Sequence, residues 1–105
     1  MSKLSRTMQA LSKDLITQIE LVTETGKNNE FKKRRVVDMW NTYLTPSNTK
    51  IAALDNYSRE VVYGFRSMVS RHMIQALTYD ELLVYIKAVI KLMSKVRSGD
   101  WNEKS

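Results

Sequence analysis

Of the 105 residues, only four are of the types that most reliably interrupt regular structure: three glycines and one proline. Nothing of that kind stands between Gly26 and Pro46, or between Gly64 and Gly99. Such long unbroken runs favour helices over short strands joined by tight turns. The expected fold is therefore all-α: a compact bundle or orthogonal cluster of four helices, or five if the third region is broken. A chain of this length suits one domain, expected over residues 1–99, with residues 100–105 as a short polar tail around Trp101.

Apolar spacing locates the helices. Leu4, Met8, Leu11, Leu15, Ile19 and Val22 follow steps of three and four and predict a helix over residues 2–25. Gly26 supplies its stop, and Asn28 or Asn29 can cap the next helix. That second helix is expected over residues 30–44, with Val36, Met39, Trp40, Tyr43 and Leu44 inward and Phe31 one turn earlier. Thr45-Pro46-Ser47-Asn48 ends it, because the residue before a proline is pushed out of helical geometry.

Residues 49–77 read either as one long helix or, preferably, as a short helix over 49–54, a turn at Asp55-Asn56-Tyr57 and a longer helix from Ser58. Val61, Phe65, Met68, Val69, His72 and Ala76 would share that longer helix's inner face. Gly64, inside it, points to close packing between helices. The last helix opens on Thr78-Tyr79-Asp80-Glu81, a capping box in which Thr78 and Glu81 satisfy each other's backbone amides. Leu82, Ile86, Val89, Met93 and Val96 line its core face, and Ser98-Gly99 is its expected end.

Chemistry is sparse. The absence of cysteine removes disulfides, thiolate catalysis and Cys-based metal sites, and fits a reducing compartment. The single histidine, His72, has no nucleophile or orienting group in its local sequence. Asp80 and Glu81 are accounted for by the helix N-terminus, where negative charge is favoured. The glycines form no phosphate cradle. No enzyme activity, cofactor or metal is expected. The N-terminal stretch has no continuous apolar run, and the most apolar segment, residues 82–93, is interrupted by Lys87 and Lys91. The expectation is a cytoplasmic protein (nuclear in a host with a nucleus) that does not span a membrane.

The net charge is +6 and is unevenly placed. The excess is zero over residues 1–30, +3 over 31–49, +2 over 50–77 and +1 over 78–105. A central positive field attracts polyanions: DNA, RNA, anionic lipid or an acidic protein face. Lys32, Lys33, Arg34 and Arg35 make a full cationic turn at the unfavourable end of their helix and read as solvated, available for phosphate contact. Arg59, Tyr63, Arg66 and Ser70 form an outward stripe in which an aromatic sits between two arginines, a pattern suited to phosphates and bases. Lys87, Lys91 and Lys95 form an outward lysine row.

Asn48-Thr49-Lys50-Ile51-Ala52 resembles the start of a helix-turn-helix motif, where a small alanine lets two helices approach. Asn56 stands at the turn, Tyr57, Val62 and Phe65 at apolar positions, and Ser58-Arg59-Glu60 would open the recognition helix. The pattern departs at Asp55, where an apolar residue belongs. This resemblance implies a DNA-binding or regulatory protein, dimeric on two half-sites. The four-three repeats of the first and last helices also permit a homodimer. Size, charge, helix count and a tail bearing Trp101 look like the immunity proteins of pediocin-like bacteriocin producers. That likeness implies the alternative: a small helical inhibitor, adaptor or immunity-type factor that binds an acidic protein partner.

Overall fold

The computed structural model describes residues 3–24, 26 and 28–97. The chain is all-α, with no strand among the described residues. Four helices carry the architecture: α1 (Lys3–Thr23), α2 (Asn29–Tyr43), α4 (Asn56–Arg66) and α6 (Tyr79–Ser94). Two single-turn helices, α3 (Thr49–Ala52) and α5 (Met73–Ala76), lead into α4 and α6. The expectations for Ser98, Gly99, Trp101 and the rest of the tail lie outside the described residues.

All six residues of the α1 stripe are buried, and they pack chiefly on α6 and α2. Trp40 and Phe65 are the largest fully buried side chains, in one continuous core that also holds Met8, Leu82, Ile86 and Met93. The buried Ser12 hydroxyl donates to the Met8 carbonyl at 2.7 Å and lies 3.4 Å from the Ile90 carbonyl, tying α1 to α6. Val37 is also fully buried, which widens the apolar face of α2 beyond the expected stripe.

The helix ends follow local chemistry. Gly26 takes φ +73°, the left-handed region that favours glycine, just after α1. Asn28, Asn48, Asp55 and Thr78 each accept a hydrogen bond from a backbone amide in the first turn of α2, α3, α4 and α6. Thr78 and Glu81 form the complete capping box. At α4 the Ser58 amide donates to the Asp55 carboxylate at 2.7 Å. That bond, helped by Lys3 and Arg59, holds the Asp55 carboxyl below the usual carboxylate range. A depressed folded-state pKa contributes stability that is present above the unfolded value of about 4 and is lost as pH falls through the folded one. Asp55→Ala is therefore expected to lower urea resistance at neutral pH, with the gap to the parent chain shrinking in acid. A gap independent of pH would assign the loss to the changed backbone preference instead.

The third region differs from the sequence expectation in one respect. It breaks twice: at residues 53–55, as expected, and again at residues 67–72, where the pattern predicts continuous helix. The carbonyls that would have continued α4 are taken by side chains from other elements. Trp40 Nε1 donates to the Arg66 carbonyl at 3.2 Å, and Tyr85 Oη donates to the Met68 carbonyl at 2.7 Å. The Ser67 hydroxyl donates back to the Gly64 carbonyl at 2.8 Å. Val69 stays buried, but His72 and Ala76 turn out to solvent rather than sharing the inner face.

Candidate nucleic-acid interface

Two of the four cations in the run on α2, Lys32 and Lys33, are engaged inside the molecule, which corrects the expectation of a solvated turn for those two, while Arg34 and Arg35 stay exposed. Lys33 is the clearest case: its side chain is only 13% exposed and its ammonium donates to the carbonyls of Ile74 and, at 3.0 Å, Leu77. It therefore clamps α5, whose last carbonyls have no intrahelical partner. Lys32 Nζ donates to the Thr23 carbonyl at 3.3 Å and lies 5.4 Å from the centre of the Tyr79 ring. The Tyr79 hydroxyl in turn meets Thr23 Oγ1 at 2.8 Å, so this lysine closes the end of α1. Arg34 is exposed and pairs with Glu30 at 3.4 Å; Arg35 is exposed.

The helix-turn-helix geometry is also corrected. The first helix of the pair, α3, is a single turn, and Ala52 faces solvent instead of letting α4 approach. Asp55, the misfit residue, is the N-cap of α4, so α4 begins at Asn56 rather than Ser58, which is buried. Arg59 turns back to the α3–α4 corner, where it binds Asn56 Oδ1 and reaches the Ala52 carbonyl at 3.5 Å.

The rest of the arginine–tyrosine stripe does converge. Tyr63 and Arg66, on the last two turns of α4, line a surface pocket of about 390 Å³ with Asn41, Ser67, Ser70 and Arg71. Arg66 Nε donates to the Asn41 carbonyl at 3.4 Å, which leaves the outer edge of its guanidinium toward solvent. The Arg71 side chain is 80% exposed and reaches Asp38 at 4.0 Å, an exposed pair that holds it only weakly. Tyr63 is 37% exposed. The end of a helix is ordinarily hostile to anions, but here the Arg66 and Met68 carbonyls point into hydrogen bonds from Trp40 and Tyr85. Two guanidinium groups, two hydroxyls and a tyrosine ring therefore share one concavity. Sequence reasoning missed Arg71 and Asn41. Arg71 sits on the second break, whose cause is contacts from distant elements, and Asn41 belongs to a different helix.

His72, expected on an apolar face, is exposed, and its Nδ1 lies 2.7 Å from Ser70 Oγ. Among the described residues no carboxylate engages the ring's other nitrogen, so the pair lacks the orienting group of a hydrolytic triad. No described group of three His, Cys, Asp or Glu residues is placed to hold a metal ion. None of the described helices is long and apolar enough to cross a membrane.

A second cationic concavity, about 420 Å³, runs between α1 and α6. Lys13, Lys87 and Lys91 rim it over an apolar floor of Ile16 and Ile90.

The sequence matches no family model, no curated protein and no solved structure.

Proposed function

We propose that this chain is a non-enzymatic nucleic-acid-binding module that engages its ligand through the end of α4 and the loop that follows. The observation that carries the reading is the pocket in which Arg66, Arg71 and Tyr63 stand together. Arginine grips phosphate through a planar fork of donors, and a half-exposed tyrosine offers a face for a base. Arg34 and Arg35 add exposed positive charge on α2, Arg34 paired with Glu30. A helix-turn-helix docking mode is not part of this proposal, because α3 is too short and the Ser58-Arg59 turn is committed to the corner.

Fluorescence anisotropy of labelled duplex DNA and single-stranded RNA, titrated across salt, tests it. Binding that weakens steeply with salt is expected, because phosphate contacts release counterions. Arg66→Ala and Arg71→Ala should each flatten the log–log salt slope by about one unit and lower affinity on all sequences alike. No binding to either probe at low salt sinks the reading.

The α1–α6 groove favours a second reading, a protein-interaction factor for an acidic partner. Its lysine rim and isoleucine floor suit an acidic segment with an apolar side chain at its centre. Binding of that kind should depend on Lys13 and Lys87 and fall less steeply with salt.

A further inference from the structure

The outer face of α6 carries apolar residues that nothing in the chain's described part covers. Val84 is 72% exposed and Leu92 46% exposed, the former among the most exposed large hydrophobics of the molecule. Ala88, also exposed, lies one helical turn from each. Val84, Ala88, Tyr85, Asp80 and Glu81 together line a shallow depression of about 530 Å³. Acidic and basic residues divide the two ends of this face: Asp80 and Glu81 stand in the first turn, Lys91 and Lys95 in and just past the last.

We infer that this face pairs with the same face of a second copy, the two α6 helices running antiparallel about a two-fold axis at Ala88. The residue order has the required symmetry. With Ala88 on the axis, Val84 falls opposite Leu92 of the other copy, and Glu81 falls opposite Lys95. An isologous contact needs this kind of self-complementarity, in which i meets j and j meets i. The alanine at the crossing lets the two backbones approach closely. The opposed charges and opposed helix dipoles select the antiparallel arrangement, since a parallel pair would set Glu81 against Glu81 and Lys95 against Lys95. A single helix face is small beside the roughly 800 Å² per partner of a standard interface, so the dimer is reversible and concentration-dependent. This pairing does not involve the arginine–tyrosine pocket and stands whether or not the chain binds nucleic acid.

The chain contains no cysteine, so single-cysteine variants give an unambiguous test of register. Sedimentation of the full chain from micromolar to near-millimolar concentration should show a monomer–dimer equilibrium that Val84→Glu abolishes, with the circular dichroism of the monomer unchanged. Lys95→Glu, which places like charges opposite each other twice, should weaken the dimer about tenfold. Under mild oxidation Ala88→Cys should form a covalent dimer, because disulfides form at Cα separations of about 4.4–6.8 Å. Val84→Cys should not, because in this register its two copies are offset by eight residues, about 12 Å along the axis. A mixture of Val84→Cys and Leu92→Cys should cross-link to each other. Several results would overturn the inference. One is a chain that stays monomeric throughout, which would leave the face to a different protein. Another is a dimer indifferent to Val84→Glu. A third is efficient cross-linking of Val84→Cys to itself. The fourth is a dimer that appears only when residues 98–105 are removed, which would assign the face to the chain's own tail.

Discussion

Trp40→Ala should cost about 3–5 kcal/mol of stability, the range for truncating a fully buried aromatic. A domain of this size has only about 5–15 kcal/mol in total, so the variant is expected to lose a large share of its stability and to unfold at much lower urea. Two effects add. The indole is completely buried in the core, and its removal leaves a cavity there. Its Nε1 also holds the Arg66 carbonyl at the point where α4 stops. Trp40→Phe separates the two. It keeps most of the ring volume, loses the hydrogen bond, and should cost about 1–3 kcal/mol. Urea denaturation followed by circular dichroism measures both. If Trp40→Phe matches the parent chain, the bond to Arg66 does not hold the helix end in place.

Lys33→Ala should cost about 2–3 kcal/mol, although Lys33 belongs to a run that reads as a solvated cationic turn. The carbonyls of Ile74 and Leu77 lose a charged donor that is largely shielded from water. Arg35→Ala, two residues away and exposed, should cost almost nothing. The contrast within one four-residue run tests the assignment without any ligand. The same pair of variants also bears on function. Lys33→Ala should leave the salt slope of nucleic-acid binding as it is, whereas Arg66→Ala and Arg71→Ala should change the slope and leave stability nearly intact. A Lys33 variant with parental stability and a flatter slope would return the lysine run to the binding surface.

These two residues also mark where the sequence stops being legible. Elements whose ends and faces are set by their own residues can be read directly. The capping box at Thr78 and Glu81 opens α6 as its spacing implies, and every member of the α1 stripe is buried. Asp55, a misfit in a helix-turn-helix, has a plain local role as an N-cap. The failures share one cause. Residues 67–72 have a pattern compatible with helix, and what breaks them is hydrogen bonding from Trp40 and Tyr85, 26 and 17 residues away from the carbonyls they hold. Lys33 looks like its three neighbours in sequence; only the position of α5, 41 residues further on, makes it structural. The candidate site follows the same rule. Tyr63 and Arg66 share a helix and were visible as a stripe, while Arg71 and Asn41 join them only through the break and the packing of α2.

The pairing of the first helix with the last has a consequence for how the chain is made. Ser12 and Ile90, which meet between α1 and α6, are 78 residues apart. During synthesis at about 5–20 residues per second, Ser12 is made roughly 4–16 s before Ile90, its partner across the α1–α6 contact. Over that interval α2 is the main surface against which the nascent chain can bury α1. The native core closes only once α6 has been made, and any stall or truncation before α6 leaves a sticky amphipathic helix for holdase chaperones or proteases to find.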